Sequence, residues 1–192
     1  SVCGYLWSDL ERLSGELYCF PGIFGSGATA ERLKRNARYS VKQWPERSEG
    51  SFPSSFHAVA REDSSALQQL EFIGRDQELP VRVVQVPKTL KTPRTISVEP
   101  SYMMLMQQSI AKPLMDYLEQ GTPYKGIHFT DQTVNQFRAY EGSVSGRWAT
   151  IDLKDASDRV DLELIRSMFS KCAPTFLSFI EDCRSTQARL PD

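Results

Sequence analysis

Apolar residues recur every fourth position at Tyr102, Met106, Ile110, Leu114 and Leu118. That spacing predicts a helix with one buried stripe, entered through Pro100 and stopped at Gly121. Pro113 lies inside it and is expected to kink it or split it in two. Val81–Val86 and Arg94–Val98 are short, β-branched and alternating, which predicts two strands joined through Pro87–Pro93. Arg147–Leu153 also alternates. As a strand it would carry Trp148, Thr150 and Asp152 on one face and Ala149, Ile151 and Leu153 on the other. Helices are expected from Asp158 or Asp161 through Phe169, and from Pro174 to about Thr186. The first region, to about residue 78, is mixed and is broken by Gly/Ser/Pro clusters at Pro21-Gly22, Gly25-Ser26-Gly27 and Ser48 to Ser55. No internal repeat or low-complexity tract is visible. The expected class is α+β.

Composition narrows the function classes. The chain has 192 residues, 40% of them hydrophobic, with 10 Phe, 7 Tyr and 3 Trp. That is enough to build a core, so disorder throughout is excluded. The net charge of −1 excludes a uniformly basic nucleic-acid binder, though not one with segregated charge. No apolar run approaches the roughly 18 residues of a membrane span. Cys3, Cys19, Cys172 and Cys183 form no C-x-x-C pair, and His57 and His128 add no zinc spacing, so buried free thiols are expected. The chain starts at Ser1 and stops at Leu190-Pro191-Asp192, straight after a helix-like run, which suggests a piece of a longer protein.

Three stretches carry candidate chemistry. From Glu31 to Arg47 there are six basic residues against two acidic ones. Arg35, Arg38, Tyr39 and Trp44 there interleave phosphate-binding and base-stacking groups; a solvated surface helix anchored by two aromatics has the same composition. From Leu79 to Val98 there are four basic residues (Arg82, Lys88, Lys91, Arg94) and no acidic one. From Asp152 to Glu163 five carboxylates fall within twelve residues. Asp161 and Glu163 read as solvated helix residues, and Asp158 or Asp161 as a helix cap. Asp152 is set apart by its place at the end of an expected strand, where a hard cation can be held. A metal-bearing carboxylate facing a Lys/Arg loop is the arrangement phosphoryl transfer needs, because the cations neutralise a polyphosphate without competing for metal. Gly25-Ser26-Gly27-Ala28-Thr29-Ala30 fits the loose dinucleotide pattern, but Pro21-Gly22 interrupts the run before it and a basic stretch follows. Three readings stay open on these residues: a nucleotidyl-transfer enzyme, a non-catalytic RNA-binding module in which Asp152 merely caps a loop, and a dinucleotide-dependent oxidoreductase.

Taken together, Phe24–Thr29, Val86–Pro100 and Ala149–Asp158 resemble, in order and content, the RNA-directed RNA polymerases of the positive-strand RNA bacteriophages, the levivirus replicase family. The likeness runs from roughly residue 22 to the end. It implies a right-hand polymerase fold, incomplete here, with residues 1–145 mostly fingers and 146–192 the start of the palm. It implies that Lys88, Lys91 and Arg94 contact the incoming nucleoside triphosphate. Asp152 matches the first catalytic aspartate, a ligand of Mg2+ in a two-metal site, with the Leu153 carbonyl as a further ligand. Asp158 matches the acid near the ribose 2′-hydroxyl. Template RNA would run over Arg35, Arg38, Tyr39 and Trp44, and host translation factors would associate, in the cytoplasm of an infected bacterium. The hairpin tip at Lys91 is expected to face Asp152 across one cleft. The family's ribose-positioning Gly-rich motif and its Gly-Asp-Asp hairpin are absent from these residues.

Overall fold

The computed structural model describes residues 2–17, 20–25, 27–33, 37, 41–58, 70–87, 93–120, 127–153 and 156–191, with side chains from residue 9 onward. Leu10, Leu13 and Leu17 are spaced by three and four and bury one face of a helix, α1 (Val2–Leu17), which the mixed look of this region does not announce. Strand β1 (Gln43–Pro45) pairs in parallel with β2 (Glu71–Ile73), and the short helix α2 (Ser54–His57) lies between them in sequence. Strands β3 (Val81–Pro87) and β4 (Pro93–Val98) form the expected antiparallel hairpin, in register from Arg82↔Val98 to Pro87↔Pro93. Helices α3 (Ser101–Gln120), α4 (Thr133–Ser145), α5 (Leu162–Phe169) and α6 (Pro174–Asp182) follow. A two-residue strand β5 (Ala188–Arg189) then returns to pair in parallel with Val81 and Arg82 of β3.

One core joins α1, the β1 region, the first half of α3, and α5 with α6. Trp44, Phe52, Tyr102, Met103, Leu105, Met106, Phe176 and Phe179 sit at its centre. Phe52 meets Phe179 edge-on at 5.1 Å, and Phe169 meets Phe176 the same way at 5.5 Å. Gly22 lets its loop lie on α3: a Cβ there would stand 2.3 Å from the Leu105 carbonyl oxygen. Cys183 is buried and Cys172 half-buried, both as free thiols, and burial pushes the Cys183 thiol up to about 12.

Helix α3 runs through Pro113 without a break, so the helix is not split in two there. Pro113 forfeits one hydrogen bond, a cost of about 3 kcal/mol. Tyr102, Met103, Leu105, Met106 and Ile110 are all buried on this helix, each contributing roughly 1.5–3 kcal/mol, so packing outweighs the proline. Gly121, the expected stop, lies outside the described residues, but the helix ends just before it at Gln120.

Helix ends are satisfied from far away in sequence. The Glu31 carboxylate accepts from the Ser101 N–H at 2.9 Å and from the Ser101 hydroxyl at 2.8 Å, capping α3. The Glu11 carboxylate accepts from the N–H and hydroxyl of Thr175 and caps α6 behind Pro174, which takes the expected first-turn position. At the other end of α6, Arg47 donates from Nη1 to the carbonyls of Glu181 and Asp182, both at 3.0 Å, and from Nη2 to that of Arg184 at 2.9 Å. Its Nε and Nη2 grip the two oxygens of Glu78 at 2.6 and 2.9 Å. These contacts, with the turn into β5, end α6 at Asp182 rather than near Thr186.

The segment 147–153 forms no strand, which corrects the sequence expectation. A strand needs a partner for its backbone groups, and none of the described residues offers one. Ile151 and Leu153 are left 81% and 71% exposed.

Arg47 is mostly buried and Glu78 almost wholly so, whereas Arg166, which bridges Glu163 and Glu181, stands on the surface. Removing Arg47 strands a buried carboxylate and uncaps α6. Arg47→Ala should therefore cost about 3 kcal/mol or more in urea unfolding, and Arg166→Ala less than about 1 kcal/mol; equal losses would contradict this. His57 is buried between the rings of Phe52 and Phe56 with neither ring nitrogen hydrogen-bonded, and burial pushes its imidazole from 6.5 down to about 4. Between those values the unfolded chain takes up a proton that the folded chain refuses, so stability present above pH 6.5 is lost as pH falls toward 4. Thermal melts across that window should show the melting temperature of the wild-type chain dropping more than that of His57→Phe.

Candidate nucleic-acid and nucleotide interface

The β3–β4 hairpin carries the basic segment. Lys88 and Lys91 lie outside the described residues, and with them the expected facing of the hairpin tip and Asp152. Arg94 is exposed on β4 opposite Val86. Directly opposed residues share a face, so Arg94 and Arg82 stand on the same side of the hairpin with Val84, Val86, Ile96 and Val98 between and beside them. Neither arginine has a salt bridge among the described residues, so this face presents unneutralised charge.

Residues 147–153 are tethered to α4. Gly146 turns the chain with φ +68°, beyond the helix end. Trp148 then folds back, its Nε1 donating to Glu141 at 3.2 Å. Gly142 makes room: a Cβ there would stand 3.1 Å from that of Trp148. Past this anchor, Ile151, Asp152 and Leu153 reach into solvent. Asp152 makes no hydrogen bond or ion pair among the described residues; Lys154 and Asp155, whose N–H groups a loop cap would engage, lie outside them. Asp158 is exposed in the 3-10 turn Ser157–Arg159 and is equally unengaged among those residues. Asp161 is the helix cap, accepting from the Glu163 N–H at 2.7 Å, and Glu163 pairs with Arg166. Asp155 lies outside the described residues.

No group of three His, Cys, Asp or Glu side chains among the described residues stands close enough to hold a metal ion. A hard divalent cation takes six or more oxygen ligands. Among the described residues Asp152 could supply only part of such a set, and further ligands would have to come from outside them.

Trp44 corrects the expected stacking surface. It is 0% exposed, and its Nε1 donates to the Phe52 carbonyl at 3.1 Å. Burying the indole in the core outweighs any use on the surface. Arg47, at the end of the same basic run, spends its guanidinium on Glu78 and the end of α6. The stretch around them is a strand and a 3-10 turn rather than a surface helix. Arg35, Arg38 and Tyr39 lie outside the described residues. The glycine pattern at 25–30 has no strand directly before it and no helix directly after it among the described residues, so the dinucleotide reading loses its βαβ frame. Among the described residues, no helix is long and apolar enough to cross a membrane.

A family model described as "RNA replicase, beta-chain" matches residues 23–192. The chain belongs to the RNA replicase beta-chain family. Among its relatives, the RNA-directed RNA polymerase subunit beta of Escherichia virus Qbeta is 41% identical over 111 residues, 58% of this chain and 18% of the relative. The corresponding subunit of Enterobacteria phage SP is 36% identical over the same share of each chain. The RNA-directed RNA polymerase beta chain of Escherichia phage MS2 is 34% identical over 103 residues, 54% of this chain and 18% of the relative. The chain thus matches less than a fifth of the length of these relatives. The replicase family match begins where the resemblance of the three motifs begins, and it takes in the basic hairpin and the Asp152 segment together.

Burial of Trp44 has a direct optical consequence. In a protein retaining Trp44 as its single tryptophan, emission should be blue-shifted, shielded from acrylamide and unchanged by added RNA. A red-shifted emission quenched by acrylamide or by RNA would return Trp44 to the surface.

Proposed function

We propose that this chain is part of an RNA-directed RNA polymerase that copies a phage RNA genome, transferring nucleotides from nucleoside triphosphates to an RNA 3′ end. The carrying observation is that one family match, RNA replicase beta-chain, spans both the cationic hairpin and the carboxylate segment. The chemistry of the two segments is complementary. Arg94, with Lys88 and Lys91 between β3 and β4 in the sequence, supplies charge for a triphosphate. Asp152, with the Leu153 carbonyl, is assigned to Mg2+ in a two-metal site whose remaining ligands lie outside the described residues. Asp158 is assigned to the ribose 2′-hydroxyl.

The same reading takes residues 1–145 as fingers-like and 146–192 as the start of a palm in a right-hand polymerase. What supports it is the state of 147–153. This segment has a strand's alternation, no partner among the described residues, and two large aliphatic side chains in water. A sheet supplied from elsewhere in a longer subunit would cover them and fix Asp152 at its edge. Template RNA, host translation factors and the cytoplasm of an infected bacterium belong to this reading.

The test is made in a full-length replicase subunit carrying this sequence. Asp152→Asn keeps the shape of the side chain and removes its charge. Nucleotide incorporation should fall by at least about a thousandfold while RNA binding persists. Undiminished synthesis by this variant would refute the assignment.

A further inference from the structure

Positive charge also gathers away from the hairpin tip. Arg32, Arg82 and Arg189 line one cavity of about 790 Å³ between β3, β5 and the turn at residues 29–32. They come from three separated parts of the chain, so no window of sequence shows them together. None has a salt bridge among the described residues. The acid in the same wall, Glu31, is already committed to the first turn of α3.

We propose that this cleft binds phosphate groups, as a second anion site distinct from the hairpin tip. Four observations carry it. First, Arg82 Nε is buried with no hydrogen-bond partner, and Nη2 reaches the Thr29 carbonyl only at 3.4 Å. With no carboxylate partner among the described residues and only this long contact, the outer nitrogens of the Arg82 fork remain for a ligand oxygen in the cleft. Second, Arg32 has φ +60°, a backbone region costly for a side chain of this kind, and yet its side chain is exposed and makes no hydrogen bond or ion pair among the described residues. The strain sits on a residue that points charge at the cavity wall rather than at the core. Third, β5 stops after two residues, and Pro191, which has no N–H, cannot extend it. The Val81 N–H donates to Gln187 along this edge, so strand alternation places the Gln85 N–H on the same edge, beyond the reach of β5. It is a neutral donor beside the arginines. Fourth, the volume exceeds what one phosphate fills, and guanidinium forks match phosphate oxygens in pairs.

The site is not the hairpin tip. Arg82 lies where β5 pairs at the start of β3, and Arg94 lies opposite Val86, four residues along, about 13 Å away at 3.3 Å per residue. Two sources offer the same chemistry: the triphosphate tail of a nucleotide and the phosphodiester backbone of RNA.

Arginine footprinting with phenylglyoxal on the unmodified 192-residue chain tests this, with inorganic tripolyphosphate and a short oligouridylate as the two probes. Arg32 and Arg189, both exposed, should be modified several-fold more slowly with at least one probe present, and Arg12, on the outer face of α1, should not change. Protection by tripolyphosphate alone assigns the site to a nucleotide tail, and protection by the oligouridylate assigns it to RNA; either supports the proposal. No protection by either probe, or equal protection of Arg12, overturns it. As a second measurement, Arg82→Lys with Arg189→Lys keeps the charge and removes the forks, and should weaken binding of the protecting probe by about tenfold; unchanged binding overturns the proposal. Neither readout involves nucleotide incorporation, so failure here leaves the Asp152 assignment standing, and failure there leaves this one.

Discussion

One guanidinium joins the halves of this structure. Arg47 uses Nε once and each Nη twice, on Glu78 and on three carbonyls at the end of α6. Those partners lie 31 to 137 residues away in sequence. Helices α5 and α6 have eight and nine residues, too short to hold themselves in water. They persist because Glu11 closes one end of α6, Arg47 closes the other, and Phe176 and Phe179 are buried between. The turn that follows α6 delivers β5 to β3, so the arginine cleft depends on the same contact.

The fold was legible where its determinants are local. Hairpin strands announce themselves by β-branched alternation, and α3 by a four-residue stripe whose buried members are Tyr102, Met106 and Ile110. Asp161 caps α5 as its spacing suggests. Pattern failed where distant partners decide. Gln187–Leu190 carries no strand signal, and β5 exists only because Val81 and Arg82 are there to pair with it. Arg147–Leu153 has the signal and lacks a partner among the described residues. Helix α1 is hard to see in the sequence although its leucines are spaced for it, because two glycines and two serines interrupt the composition around them.

The candidate site divides on the same principle. A basic stretch with aromatics is ambiguous, since Arg and Trp serve phosphates and bases in one context and close a core in another. Trp44 and Arg47 take the second role, each revealed by its hydrogen-bond acceptors: the Phe52 carbonyl for one, Glu78 and α6 for the other. Among the described residues Arg82 has only the distant Thr29 carbonyl as an acceptor, Arg94 has none, and Asp152 has no donor. Charges that the fold itself does not consume are the ones available to a ligand, which separates these three from Asp161, Glu163 and Arg166 more sharply than spacing does.

Exposure of Ile151 and Leu153 bears on how the carboxylate is placed. A side chain that must hold a metal needs a fixed backbone, and the fixing here stops at Trp148 on α4. Beyond it, the apolar alternates have no core to enter, and each fully wetted aliphatic side chain forgoes roughly 1.5–3 kcal/mol of burial. In the proposed polymerase that forgone burial would drive docking of the segment onto a sheet, and docking would order Asp152 at the same moment. In the polymerase proposed above, strand and metal-holding geometry would form together, the carboxylate being ordered by the burial of its two aliphatic neighbours rather than by hydrogen bonds of the described residues.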